Sequence, residues 1–526
     1  MIFYRFLNQF GYEVFLGLFG LLSLFFYKPI GMILLSALLL RVSQLFSRKK
    51  MALFLFASYS AFILWDFSWL ATTTYHGNYV IFVWIFLSVL FASPIYIWAL
   101  FYAKAEKSVY SVFFFSIVIV MMEWLRLYFL SGYSFASLGM FLDHVKGVSQ
   151  VVYFLGMYGL TWVFAYAVLT IDFLIQKKEL NKGFYLSLPV LLLFLYQPNL
   201  NEIGKIKVQV IQPGLKVPEK TLMHPYTGQF IPVKKQLQIL LRKIRWGYHE
   251  KPDLIILPEG LLPGLLEQPF IYANDLRLIL EEFFPKQIEI SALPSILSQK
   301  QAMKLIVDTL QIPVIYGALR MEENGDCYNS LVLQDVDEAF QFYDKRILVP
   351  MGEYLPFEFL TNLAMRYGVY GFFSKGSEKV LVLGDKKIIP SICYEDCFPK
   401  LGLIKSPKNS SLIVNITNDG WFFPSRLPEV HARLSRLRAM ELGLFLFRSC
   451  EQSMSGWIDP TGKETFFDEN VHNIPVQNLH LSYHQTVYSL IGNKWILASL
   501  TLLVFGRLII NFVPLWIRLA LKRTVN

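Results

Sequence analysis

The stretch "YVIFVWIFLSVLFASPIYIWALFY", residues 79–102, contains no Asp, Glu, Lys or Arg. A helix of that length rises about 36 Å at 1.5 Å per residue. The hydrocarbon core of a bilayer is about 30 Å thick, so the run is long enough to cross it. Six further apolar runs lie before residue 200, at about 10–27, 30–46, 51–70, 110–130, 149–175 and a shorter one at 184–197. An eighth lies near 489–515. The first run lacks a small-residue cleavage site and is followed at once by others, so it reads as a span and not as a removable signal peptide.

Composition agrees. The chain is 54% hydrophobic and 17% charged, where a soluble chain carries about 25% charged residues. The apolar excess is confined to 1–200 and 487–517, and 201–486 reads as an ordinary soluble domain. The net charge of +10 invites a nucleic-acid reading. Its placement argues against one: Arg48, Lys49 and Lys50, then Lys104 and Lys107, then Lys177, Lys178 and Lys182, and finally Arg518, Lys522 and Arg523 occupy alternate loops. The loops between carry only Lys28 and Lys146. This is the positive-inside pattern. With eight spans it places both termini in the cytoplasm and the soluble domain on the opposite side. The expected organisation is a bundle over 1–200, an inserted domain over 201–486, and a last helix with a basic tail over 487–526.

Within the inserted domain, strands are expected within 205–212, 253–260, 313–320, 329–335, 340–346, 386–396 (ending at Cys393) and 411–421 (ending at Asn418 or Asp419), and helices most clearly at 231–247 and 428–446. Strands alternating with helices argue for an α/β domain. Chemistry in such sheets sits at strand ends. Glu259 follows "LIIL", Lys345 follows "FQFY", and Cys393 ends "IIPSI". Each alone has a bland reading: a solvated loop acid, a surface charge, an inert buried thiol. Together they make a nucleophile, a base and a cation. Cysteine attacks as its thiolate, a buried glutamate can take the proton, and a lysine or the Tyr394 N–H can stabilise an oxyanion.

Four cysteines, Cys327, Cys393, Cys397 and Cys450, show neither a disulfide framework nor zinc-knuckle spacing, and no histidine stands near them in sequence, so no metal is expected. Glu123 and Arg126 are expected to pair within the fifth run, Asp66 to lie at the interface beside Trp65 and Trp69, and His431 to be structural. Asn415, Asn418 and Asp419 are expected to shape a turn. Apolar loop residues, among them Leu261, Leu262, Leu266, Phe357 and Phe359, are readable as membrane-dipping arms or as core.

Glu, Lys and Cys, each after a strand, resemble the nitrilase superfamily. "PEG" (258–260), "YDKRILVPMGEYLPFE" (343–358), "ICYEDCFP" (392–399), "NITNDGWF" (415–422) and "EWLR" (123–126) resemble the apolipoprotein N-acyltransferase family. The resemblance implies a polytopic α-helical membrane protein of about eight helices with an inserted nitrilase-like α-β-β-α sandwich. It implies Cys393 as nucleophile, Glu259 as base and Lys345 as oxyanion stabiliser, with Glu353, Tyr394 and Glu395 in support. It implies acyl transfer from a membrane phospholipid, through a thioester, to the amine of a diacylglyceryl-cysteine lipoprotein. A monomer in the bacterial inner membrane with a periplasmic catalytic domain and no cofactor is the matching expectation. Departures are a missing tryptophan in "QPGLKVPEKTL", Glu451 and Ser453 where the family shows Asn and Gly, and "WFFP" where a glycine is usual. The competing readings are a membrane-anchored amidase using water and an inactive scaffold or transporter.

Overall fold

A computed structural model describes residues 16–523 except 25–27, 146, 221–229, 285–291, 338–339, 358, 360–371, 400–409 and 468–473. Helices α1 (16–24) and α2 (Lys28–Ser43) lead into α3 (Arg48–Asp66), α4 (Tyr79–Lys104), α5 (Val109–Leu125), α6 (Val148–Lys177) and α7 (Gly183–Phe194). Four stretches are long and apolar enough to cross a membrane: Arg48–Ala71, Tyr79–Lys104, Val109–Tyr128 and Val148–Lys177. The run at 30–46 becomes a helix of 16 residues and that at 184–197 one of 12. Most of 10–27 lies outside the described residues.

The bundle buries polar groups that the sequence pattern pairs wrongly. Glu123 and Arg126 do not bond each other. Tyr59 stands between them, donating to Glu123 at 3.1 Å and accepting from Arg126 at 2.5 Å. Glu123 also accepts from Ser137, Thr161 and the Leu138 N–H. Asp66 is buried and accepts from the Ala136 N–H at 2.8 Å. In hydrocarbon every such group needs an internal partner.

The inserted region holds two six-stranded sheets. Strands β1 (Asn201–Val210) and β2 (Leu254–Ile256) are followed, after the one-turn α8 (Val217–Lys220) and α9 (Val233–Tyr248) that lie between them, by β3 (Pro269–Tyr272), α10 (Ala273–Phe283), β4 (Ile296–Ser298) and α11 (Gln299–Leu310). Then come β5 (Val314–Met321), β6 (Cys327–Gln334), β7 (Phe340–Asp344), β8 (Leu381–Leu383), β9 (Lys386–Ile392) and β10 (Ser410–Thr417). After α12 (Leu427–Leu442) follow β11 (Phe445–Cys450), β12 (Ser455–Ile458), β13 (Glu464–Phe467) and β14 (Gln477–Tyr483). The first sheet runs β14-β1-β2-β5-β6-β7 and the second β13-β12-β11-β10-β9-β8.

Ile206, Val208, Ile256 and Leu331 of the first sheet pack against Ile388, Leu412, Val414 and Phe447 of the second, forming one dry layer. The outer face of the first sheet is covered by Leu240, Ile279 and Ile306 of α9, α10 and α11. The second sheet is covered by Ala439 and Leu442 of α12. The other side of α12, through Val430, Leu434 and Leu437, is continuous with the bundle core. So the outermost layer of the sandwich is shared with the helices below it. Leu261, Leu262 and Leu266 are core residues, whereas Phe357 and Phe359 are exposed and stacked on each other.

Several boundaries differ from the expectation, two of them in helices. The helix expected over 428–446 ends at Gly443, whose φ of +63° caps it, and β11 begins at Phe445. The last apolar run is interrupted: α13 (Val487–Ile491) stops at Gly492, and α14 (Lys494–Arg523) starts afresh. Helix α6 kinks at Gly156, where φ is +64° and an added Cβ would lie 2.4 Å from the Tyr488 ring. The neighbouring Met157 N–H, which lies at this kink, is bonded by the Glu441 carboxylate of α12 at 2.8 Å.

Candidate active site

Glu259 sits three residues beyond β2, in a turn pressed against β5. Gly317 makes that approach possible: a Cβ there would meet the Glu259 Cα at 2.6 Å and the Gly260 nitrogen at 2.7 Å. The Gly317 N–H donates to the Pro258 carbonyl, and the Leu261 N–H donates to the Gly317 carbonyl. Lys345 follows β7 and is fully buried. Its ammonium donates to Glu353 Oε1 at 2.7 Å and to Glu259 Oε1 at 3.4 Å. Burial alone would lower its pKa, but Glu353, Glu259 and Cys393 together raise it above the usual lysine range. Lys345 is therefore a permanent cation at this site.

Asn329, one residue that strand patterning does not single out, completes the cluster. Its amide donates to Glu259 at 2.7 Å and to Glu353 at 3.1 Å. Glu353 also accepts from the Val349 N–H at 2.8 Å. Two carboxylates are thus held beside one cation by neutral donors. The signal in the sequence is an asparagine in the register of Leu331 and Leu333, which face the layer between the sheets.

Cys393 is the first residue after β9 rather than its last, and it opens the 3₁₀ turn Cys393–Cys397. Its φ is +49°, a left-handed value uncommon for a residue with a side chain. Such strain costs about 1–3 kcal/mol and persists only where the surroundings impose it. The thiol is half-buried. Burial pushes its pKa up to about 12; Glu259 adds to the rise, while Lys345 and His431 oppose it. The resting group is therefore a neutral thiol, and attack requires proton removal as the bond forms.

Glu395 is engaged by Tyr343 and by backbone donors. Its buried carboxylate accepts from Tyr343 at 2.9 Å, from the Arg346 N–H at 2.7 Å, and from the Ile347 and Ile392 N–H groups. It ties the start of the cysteine turn to the backbone after Lys345. Tyr394 points the other way, donating to the Gly132 carbonyl at 2.8 Å and stacking on Phe135 of the bundle.

Beneath the turn lies a network that spacing along the chain does not reveal. His431 is buried between Asp396 (2.6 Å) and Asp419 (2.7 Å), and its Nε2 also reaches the Cys393 carbonyl at 3.0 Å. Burial opposes its charge, but the aspartates raise its pKa well above the usual histidine value, so it is an imidazolium. Arg448, from β11, bonds Asp419 at 2.8 Å, Asn415 at 2.9 Å and Asp396 at 3.2 Å, and Ser435 bonds Asp396. The donor atoms of Asp396, Cys397 and His431 lie within 4.8 Å of one another, the spacing of a metal site. Arg448 and the imidazolium already balance both aspartates. Asn418 accepts from the Gly420 N–H, closing the turn that presents Asp419. An arginine inside the apolar strand "FLFRSC" was the available signal. All four cysteines are free thiols.

Two family models match the chain. The apolipoprotein N-acyltransferase N-terminal domain matches residues 15–170, and carbon-nitrogen hydrolase matches 233–478. Curated relatives named apolipoprotein N-acyltransferase are similar over most of the chain. That of Chlamydia pneumoniae is 29% identical over 422 residues, covering 76% of this chain and 75% of the relative. That of Rhizobium rhizogenes is 26% identical over 411 residues, covering 70% and 69%. That of Chlamydia caviae is 26% identical over 459 residues, covering 81% and 82%.

Proposed function

We infer the function from the premise that this chain belongs to the apolipoprotein N-acyltransferase family: it moves an acyl chain from a membrane phospholipid to the N-terminal amine of a diacylglyceryl-cysteine lipoprotein. The observation that carries the reading is the Lys345 ammonium, bonded to Glu353 and Glu259 and electrostatically coupled to Cys393.

In the first half-reaction the Cys393 sulfur attacks an ester carbonyl of the phospholipid while its proton passes to Glu259. Lys345 and the Tyr394 N–H stabilise the oxyanion. The ester C–O bond breaks, and the lysophospholipid leaves with the proton from Glu259. In the second, the neutral lipoprotein amine attacks the thioester and gives its proton to Glu259. The C–S bond breaks, and the thiol is restored. Both substrates are bilayer-anchored, so holding them at one site replaces an external energy source. Glu353 and Asn329 fix Lys345, and Glu395 fixes the turn that carries the nucleophile.

Residues 1–200 form the membrane bundle in this reading, 201–486 the catalytic domain, and 487–526 the last span and its basic tail. Helices α1, α2, α7 and α14 join the four long apolar helices to make eight spans. Both termini then face the cytoplasm of a bacterial inner membrane, with the catalytic domain of the monomer on the periplasmic side. The test is mass spectrometry of the full chain incubated with phospholipid alone. A hydroxylamine-labile acyl mass on Cys393, absent in Cys393→Ala, is expected. Acyl on Cys397, or turnover without any adduct, overturns the assignment.

A further inference from the structure

We propose that the cavity where the α3–α4 connection meets the loop before α12 binds the phosphodiester of the donor phospholipid. This rests on the phospholipid-donor reading above. The cavity measures about 410 Å³ and is lined on one wall by Ser68, Trp69, Thr73 and Thr74, and on the other by Ser425 and Arg426.

Its depth is set by the helices that flank it. One apolar stretch ends at Ala71 and the next begins at Tyr79, so Thr73 and Thr74 lie where the chain leaves and re-enters the apolar layer. Trp65, Trp69, Tyr75 and Tyr79 cluster in the same 15 residues of sequence, and such aromatics mark the headgroup level of a bilayer. The facing wall belongs to the catalytic domain. A cavity shared by both at that depth meets phosphate before any other anionic group common to phospholipids.

Its chemistry is that of an anion site. The Arg426 guanidinium carbon lies over the Trp65 ring, 3.9 Å from its centroid, and the group donates one bond, at 3.3 Å, to the Trp65 carbonyl. It makes no ion pair among the described residues. Asp66 feels its charge but is buried and bonded to the Ala136 N–H. A planar guanidinium with donors to spare is the side chain best matched to a phosphodiester. Trp69 is 7% exposed and lines the cavity, while its indole nitrogen is itself buried and has no partner among the described residues. Arg426 is also the residue capping the N-terminus of the 16-residue α12, whose dipole adds to the positive potential.

Packed aromatic rings link the cavity wall to the residue after the nucleophile. The Trp69 ring packs on Phe422 at 5.2 Å and on Phe135 at 4.9 Å, and Phe135 stacks on Tyr394, the residue after Cys393. The lipoprotein acceptor, a diacylglyceryl thioether, carries no phosphate. The cavity therefore distinguishes donor from acceptor.

The test is acylation of Cys393 in the detergent-solubilised full chain, followed by mass spectrometry with two donors, dioleoyl phosphatidylglycerol and the phosphate-free dioleoylglycerol. Arg426→Gln is expected to raise the half-saturating mole fraction of the phospholipid about tenfold, the usual worth of a charge-assisted hydrogen bond. The preference for phospholipid over dioleoylglycerol should fall by the same factor. Thr73→Val with Thr74→Val should lower that preference several-fold. Soluble glycerophosphoglycerol should compete with the phospholipid better than sodium phosphate does. Equal competition by the two overturns the lipid assignment, and an unchanged donor preference in Arg426→Gln overturns the cavity as a phosphate site. A wild-type chain that forms no acyl-Cys393 from either donor overturns the function reading instead.

Discussion

The Nε2 of His431 lies 3.0 Å from the carbonyl oxygen of Cys393. That carbonyl belongs to a residue at φ +49°, so the histidine holds a strained peptide in place. Asp396 and Asp419 clamp the ring from both sides. His431→Gln removes the charge and one of the clamps. It is expected to lower the acylation rate about tenfold or more while leaving half-saturation by the donor little changed. The pH profile of Cys393 alkylation should also move to higher pH, because a nearby positive charge that favours the thiolate is lost. A profile that stays in place would reduce His431 to a packing role.

Lys345 is the only cation bonded to Glu259 and Glu353 among the described residues. Lys345→Met leaves two carboxylates crowded without a counter-charge. Breaking a buried ion pair by removing one partner costs about 3–5 kcal/mol. The variant should melt well below wild type and form no acyl-enzyme. Adding Glu353→Gln should recover part of the stability and none of the acylation. Thermal melts with parallel mass spectrometry separate the two effects.

Glu441 carries a pH signature. Burial raises its pKa from 4.5 to about 7, with Arg438 and the Met157 N–H opposing the rise. A raised carboxyl pKa means that protonation favours the folded chain. The stabilisation is complete below pH 4.5 and is lost as pH rises through about 7. The loss amounts to about 3 kcal/mol at most. Glu441→Gln should therefore remove this slope and melt above wild type at pH 8, with the two converging below pH 4.5. Parallel slopes would place the proton elsewhere.

Glu451 departs from the residue usual in the family that the sequence resembles, and the fold answers it. Its carboxylate takes a buried bond from Lys220 at 2.6 Å and another from the Leu215 N–H at 3.0 Å. The loop that lacks the usual tryptophan is thus tied to the end of β11 by an ion pair. Glu451→Ala and Lys220→Ala should each destabilise by about 3–5 kcal/mol. The double variant should lose less than their sum, by a coupling of at least about 1 kcal/mol in a double-mutant cycle. Strict additivity would show the pair to be incidental.

Ser453, the second departure, sits at φ +100°, where a side chain is strained and glycine is not. Ser453→Gly is expected to stabilise the chain by about 1 kcal/mol, read as a higher melting temperature with unchanged acylation. A lower melting temperature would show that the serine hydroxyl has a partner worth more than the strain.

The sequence by itself determined the long apolar helices, the α/β character of the inserted region and the identity of the residues at three strand ends. Those features are local: a charge-free run, a period of two, an ionisable group after an apolar strand. "PEG", "YDKR" and "ICYED" could be singled out because each follows its own strand. Tertiary structure decided what stands around them. Asn329 joins Glu259 to Glu353 from a different strand, and Gly317 matters only because β5 runs beneath Glu259. His431 and Arg448 reach the underside of the cysteine turn from a helix and a strand 38 and more residues away in sequence. Tyr59 separates Glu123, on α5, from Arg126, in the turn just after it, although they are three apart in sequence. Partnerships of this kind come from packing layers in space. Period and spacing along one chain carry no record of which faces those layers bring together.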